Sequence, residues 1–271
     1  MGDILSIISK RLGLGLVTLL VISIIIFGAV ELLPGDIAQA VLGQGATEEN
    51  LAAMREQLGL DRAAPIRYFE WLSNAVTGDF GRSLVSQQPV SEAISTRFAN
   101  TLFLALYAAI IAVPVAIFLG VLVALFRNSV FDRVANVVTL TSISSPEFFL
   151  GYILILFLSV KTGYFPAIAK IDDGMSLLDK LDRTFLPALT MVLVVVAHMM
   201  RMTRASIINL LASPYVEMAR LKGVPAWKVI VKHTLPNAWA PVINVVALNL
   251  AYLITGVVLV EVVFVYPGIG Q

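Results

Sequence analysis

The sequence predicts an all-α integral membrane protein, and three observations carry that expectation. Of the 271 residues, 58% are hydrophobic and 14% charged, against roughly 45–50% and 25% in soluble proteins. The apolar residues gather in five long runs, several of the ~20-residue length that crosses a bilayer. The charges collect between the runs, and the basic ones favour alternate connections. There is no cysteine, which excludes disulfides, thiolate metal sites and cysteine nucleophiles. A net charge of +1 gives no ground for a nucleic-acid partner.

Residues 1–11 form a short amphipathic N-terminal segment ending in Lys10 and Arg11. The first span is expected over 12–33. It is longer than the apolar core of a signal peptide and lacks a clean small-x-small cleavage site, so it reads as uncleaved. Pro34, Gly35 and Asp36 end it. Residues 34–96 read as a helical cap on one membrane surface. Thr47 can cap a helix carrying Leu51, Met54 and Leu58, and Pro65 opens another with Ile66, Phe69, Leu72 and Val76 on one face. Gly78 to Ser83 is turn chemistry, and Pro89 starts a third helix with Val90 and Ile94. So few large apolar groups make too thin a core for an independent domain.

A membrane-embedded core is expected over 100–264. Its second span covers about 100–126, where Ala108, Ala112, Ala116, Gly120 and Ala124 form a small-residue stripe that lets another helix approach closely. A third runs from about 134 to 160, with Ser142, Ser144, Ser145, Pro146 and Glu147 deep inside it. The 161–185 loop carries Asp172, Asp173, Asp179 and Asp182 beside Lys170, Lys180 and Arg183. Without the ordered Asp-x-Asp-x-Asp-Gly pattern it reads as solvated surface rather than a calcium site. The fourth and fifth spans are expected at about 186–202 and 238–264, and 265–271 is a tail.

Basic residues in short loops favour the cytoplasm. A cytoplasmic N-terminus puts Lys10, Arg11, Arg127, Arg133, Arg201, Arg204, Arg220, Lys222, Lys228 and Lys232 on that side, against Asp3, Asp132 and Glu217. The cap, the 161–185 loop and the tail then lie outside, and 212–236 inside.

That inner loop reads Tyr215-Val-Glu-Met-Ala-Arg-Leu-Lys-Gly223, then Val-Pro-Ala-Trp-Lys-Val-Ile-Val-Lys-His-Thr-Leu-Pro236. Gly223 ends one helix and Pro225 starts the next, so Gly223 is expected at positive φ. Val216, Ala219 and Arg220 share one face, and Trp227, Ile230 and Val231 another, with Lys228 and Lys232 apart from them. A basic helix–turn–helix between spans has to dock on something at the membrane surface.

The loop resembles the EAA signature of ABC importer permeases. Glu217, Ala219, Gly223, Leu235 and Pro236 match it, while Met218 and His233 stand where Ala and Ile are usual. Leu33-Pro-Gly-Asp36, Gly78-Asp-Phe-Gly-Arg-Ser83, Arg201-Met-Thr-Arg-Ala-Ser206 and Val265-Tyr-Pro-Gly-Ile-Gly270 are similar to the dipeptide/oligopeptide branch, and follow its order. The resemblance implies the type I ABC importer transmembrane-domain fold in a bacterial inner membrane. It implies a second homologous permease subunit, two ATP-binding cassette subunits, an extracytoplasmic solute-binding protein and a peptide substrate. Coupling to the ATPases would run through Glu217, Ala219, Lys222, Gly223, Leu235 and Pro236, and the binding protein would dock on the cap, the 161–185 loop and the tail. No cofactor is expected in this chain, ATP and Mg being bound by the partner subunits. Dipeptide, oligopeptide, glutathione, opine and nickel-chelate importers share the architecture. Permeases of this branch add one more span after the Pro-Gly-Ile-Gly turn, so the five-span sequence looks one helix short.

No enzymatic constellation can be assembled. There is no G-x-x-x-x-G-K-[ST] phosphate loop and no H-E-x-x-H, and the only histidines are His198 and His233. A serine hydrolase built from Ser144 or Ser145 with His198 lacks further support. Ionisable groups within a bilayer are costly and mark functional positions by default. Glu31 and Glu261 read as partners of neighbouring helices. Ser144, Ser145, Glu147, His198, Asn244 and Asn249 read as the translocation path. The alternative is a proton-coupled secondary transporter using Glu147.

Overall fold

A computed structural model describes residues 2–32, 35, 37–43, 46–83, 86–172 and 174–271. The expectations on Leu33, Pro34, Asp36 and Asp173 fall outside these residues. All regular elements among the described residues are helical, apart from an isolated bridge between Arg82 and Pro89. The chain divides into two compact units, 1–93 and 94–271.

The first unit holds α1 (Gly2–Glu31), α2 (Ile37–Leu42), α3 (Glu48–Gln57) and α4 (Ala64–Val76). Leu12, Leu16 and Ile25 of α1 are all exposed, as suits a helix whose solvent is lipid. Thr47 caps α3, its Oγ1 accepting from the Asn50 N–H at 3.3 Å. The inward side chain of α4 is Tyr68, whose hydroxyl lies 2.8 Å from Ser23 Oγ and whose ring stands 5.3 Å from Phe27. Ile66, Phe69 and Val76, expected to share a packed face, remain exposed. A single aromatic anchor, with the ion pair between Arg67 and Glu31, therefore joins α4 to α1. The 78–90 segment turns on Gly78 and Gly81, at φ 87° and 78°.

The second unit begins within α5 (Val90–Leu125). It continues through α6 (Val130–Ser144), α7 (Glu147–Leu154) with a π-helical extension Ile155–Lys161, α8 (Leu177–Arg183) and α9 (Phe185–Leu211). Then come α10 (Pro214–Leu221), α11 (Ala226–Lys228), a π-helical stretch Val229–Thr234, α12 (Leu235–Thr255) and α13 (Val258–Val263). Among the described residues, four stretches are each long and apolar enough to cross a membrane: Leu5–Glu31, Val90–Leu125, Phe185–Leu211 and Ala226–Val263.

The expected continuous third span does not form as one helix. It is α6 plus α7, bent by 105°. Pro146 has no N–H for the α-helical ladder and biases Ser145 out of the helical region, and Ser145 is extended at φ −88°, ψ 133°.

The core is built on α9. Leu186, Ala188, Met191, Val195 and Met199 of α9 pack with Leu104, Ala108, Ala112 and Ala116 of α5 and with Val260, Phe264 and Tyr266. The whole stripe from Ala108 to Ala124 is buried, as its four-residue period led one to expect. Its tightest point is Gly120, where an added Cβ would stand 2.7 Å from the Thr203 Cβ.

Candidate functional site

The 212–236 loop is braced from inside and bare outside. Val216 and Ala219 of α10 pack with Val229, while Ile230 packs with Ala124, Ile207, Ala238 and Val242. The loop is thus seated against the ends of α5, α9 and α12. Gly223 sits at φ 76°, and its N–H donates to the Arg220 carbonyl at 2.9 Å, closing α10. No atom stands within 4 Å of where a Cβ would be, so the demand for glycine here is conformational. Pro225 O accepts from Lys228 and Val229 as the next helix opens.

The second face differs from the expected one. A π stretch has a wider turn than an α-helix, so Val229, Ile230 and Thr234 face inward while Trp227 and Val231 are exposed. With Tyr215, Met218 and Leu221, also exposed, they give the loop an uncovered apolar rim. Glu217, Arg220, Lys222, Lys228 and Lys232 are exposed among them, Leu235 is half-buried, and Pro236 is exposed at the start of α12.

The break between α6 and α7 opens a cavity of about 450 Å³. Ser145, Glu147 and His198 line it together with Tyr252 and Thr255, among apolar neighbours that include Ile143, Val194 and Leu259. Tyr252 donates its hydroxyl proton to Glu147 Oε1. Neither Lys nor Arg lines the space. Three of the six expected path residues therefore meet at one place. Ser144 is exposed elsewhere, as is Asn244, and Asn249 donates to its own helix at Val245 O, 2.8 Å away.

Two family models match: "Binding-protein-dependent transport system inner membrane component" over residues 116–271, and the N-terminal region of the same component over 4–105. The chain belongs to this family. It is 38% identical over 268 residues, 98% of this chain, to the glutathione transport system permease protein GsiC of Escherichia coli (strain K12), covering 85% of that protein's length. The same figures hold for the GsiC proteins of Salmonella typhi and of Salmonella choleraesuis (strain SC-B67). The chain is thus a multi-pass permease subunit of an ABC importer in the bacterial inner membrane, with the type I importer fold and with ATP hydrolysis in separate subunits. Membership does not favour the proton-coupled secondary transporter.

Two further polar constellations hold the permease together. Glu261 is fully buried. It accepts from Thr101 Oγ1 at 2.6 Å and from the Gly270 N–H at 2.7 Å, and Thr101 Oγ1 in turn accepts from the Ile269 N–H at 3.0 Å. Arg97 and Asn100 donate to the carbonyls of Gly268 and Pro267, and Tyr266 donates to Asn100 O at 2.7 Å. Burial, with the nearby Glu261 charge, pushes the Tyr266 hydroxyl above its ordinary range, so it stays a donor. The Val265–Gly270 segment is thus tied to α5, and Glu261 has the helix-partner role expected of it. An added Cβ at Gly268 would fall 2.0 Å from Glu261 Oε1.

The other constellation had no local signal. Asp132 at the start of α6 takes both Nε and Nη2 of Arg204 on α9, at 2.8 and 2.9 Å. Asn136 and the Asn128 N–H complete its shell at 2.7 and 2.9 Å. These partners lie 72 residues apart, as Tyr252 and Glu147 lie 105 apart. Only for Glu147 did the intramembrane cost of a lone charge hint that a partner was needed.

Proposed function

We propose that this permease forms half of the translocation path of a peptide importer, paired with a similar permease subunit and served by two ATPase subunits and an extracytoplasmic binding protein. The observation that carries the reading is the 212–236 loop: an apolar rim of Tyr215, Met218, Leu221, Trp227 and Val231 exposed on a base that is itself packed. Such a surface suits a protein groove, since interface cores gather aromatic residues and Met while charges collect at the rim. Glu217, Ala219, Lys222, Gly223, Leu235 and Pro236 set the shape of that surface. ATP and Mg²⁺ would be held by the ATPases. Their closure would pull on this loop and rock the spans between inward- and outward-facing states.

The peptide class is supported by the relatives, which are named as glutathione permeases, glutathione being a γ-glutamyl tripeptide. The Glu147 cavity, which Ser145 and His198 also line, would lie on the path. Ser144, Asn244 and Asn249 would complete the route from the exposed side.

The test is Gly223→Asp. At φ 76° a side chain costs about 1–2 kcal/mol, and the added carboxylate alters the docking rim. The variant should reach the membrane yet lose uptake, with its ATPases lost on purification or no longer stimulated by loaded binding protein. Normal uptake with the ATPases retained would show that coupling runs elsewhere.

A further inference from the structure

We infer that the Glu147 cavity selects the protonated amine of the substrate and disfavours its carboxylate end. The inference rests on the path reading above and deepens it. Every hydroxyl that lines the space has committed its proton. Ser145 Oγ donates to Thr141 O at 2.8 Å, Thr255 Oγ1 to Ala251 O at 3.1 Å, and Tyr252 to Glu147. What these groups can offer a ligand is therefore their lone pairs. Tyr252 occupies Oε1 of Glu147, and no hydrogen bond is made to Oε2 among the described residues. The imidazole of His198 is the one side-chain donor left in the lining.

The cavity lies where α6 ends, at Ile143 and Ser145, and α7 begins, at Glu147 and Phe148, and where α12 ends, at Thr255 and Gly256, and α13 begins, at Val258 and Leu259. Helix C-termini carry partial negative charge and N-termini partial positive charge, so these paired ends offset one another and leave the side chains to set the polarity. One carboxylate, with its Oε2 unbonded among the described residues, thus stands in a space that contains no Lys or Arg.

The complement of such a space is a group that only donates and is positively charged. An ammonium has three donors and no acceptor. A divalent metal fits less well, because no group of three or more His, Cys, Asp or Glu side chains able to hold one occurs among the described residues. The cavity volume of about 450 Å³ lies in the ~300–1,000 Å³ range of small-ligand sites. Within this arrangement Glu147 binds the amine, and Tyr252 is a positioning residue that fixes the carboxylate rotamer.

The permease–ATPase complex, purified without its binding protein, tests this by thermal protection. Glycylglycine should raise its melting temperature and N-acetylglycylglycine should not. Glu147→Gln should raise the half-saturating glycylglycine concentration about tenfold, the worth of one charge-assisted contact, and Tyr252→Phe about threefold. Glu147→Asp should recover part of the loss. Equal protection by both peptides, none by either, or undiminished protection in Glu147→Gln overturns the inference. Equal protection by potassium chloride overturns it in favour of an inorganic cation. A separate arm guards the path reading. Thiosulfonate labelling of Ser145→Cys in the complete importer should block uptake. If labelling blocks uptake while the peptides are not distinguished, the path stands and only the amine selection fails. If full labelling leaves uptake unchanged, the path reading itself fails.

Discussion

Glu261 and Glu147 are carboxylates placed in apolar surroundings in the same unit of the permease, and they are treated in opposite ways. Glu261 is fully buried, takes hydrogen bonds on both oxygens, and faces glycines at 268, where its own atoms fill the space a Cβ would need, and at 270, where Val258 shares that space with it. Glu147 is half-buried at the edge of a cavity, with one oxygen taken by Tyr252. A buried polar group whose bonds are complete rigidifies what surrounds it, whereas one with a lone pair left over is available for a ligand. The distinction lies in saturation rather than in residue type or depth.

That contrast is most open to challenge at its structural end. Glu261→Ala leaves the Thr101 hydroxyl and the Gly270 N–H without acceptors, at about 1–3 kcal/mol for each buried group. The Val265–Gly270 segment should detach from α5, with a large drop in the melting temperature of the detergent-solubilised subunit. An unchanged melting temperature would show that the knot does not stabilise the fold. Gly268→Ala should mimic this through overlap alone.

Next in size is the α5–α9 contact. Gly120→Val puts a branched side chain where even a Cβ meets Thr203 at 2.7 Å and the Met200 carbonyl at 3.1 Å, and overpacking of this kind costs about 1–3 kcal/mol. Gly120→Ala should cost less, and equal melting temperatures for the two would contradict so close an approach. Smaller still is Asp132→Asn, which keeps the shape of the pair with Arg204 but removes its charge. A double-mutant cycle with Arg204→Gln should return a coupling of about 0.5–3 kcal/mol; additivity within error would remove the pair from the list of stabilising contacts. At the far end stands Glu147→Gln. It should move the melting temperature by no more than about 2 °C, the shift that ~1 kcal/mol makes in a chain of this size, while altering transport. A drop as large as that of Glu261→Ala would erase the contrast.

Features that depend on local composition were legible in the sequence. The apolar runs announced the helices, the four-residue period announced the buried stripe, and Gly223 before Pro225 announced the positive φ. What escaped was geometry between distant or directional parts. The 134–160 run carries Ser142, Ser144, Ser145, Pro146 and Glu147 in its middle, and Pro146 marks a break in an α-helix. Composition carries no sign of direction, however, so the 105° angle of the bend could not be read. Tyr252 at the cavity and Arg204 at Asp132 are joined to their partners by tertiary packing alone. In α4 the expected apolar face gave way to Tyr68, whose hydroxyl finds Ser23. In the loop, α-helical spacing grouped Trp227 with Ile230 and Val231, whereas the backbone winds more loosely there.

That looser winding makes the loop sensitive to length. A π stretch is in effect an α-helix with one residue too many, so Val229–Thr234 carries a surplus residue ahead of α12. Each residue of an α-helix advances its neighbour by about 100°. Deleting Lys232 should therefore let the stretch relax to α winding and swing Trp227 by roughly that angle about the α12 axis. The compass bearing of the exposed rim is set by a residue count, and single-residue insertions or deletions between 229 and 234 should disable coupling where most substitutions of exposed residues there do not.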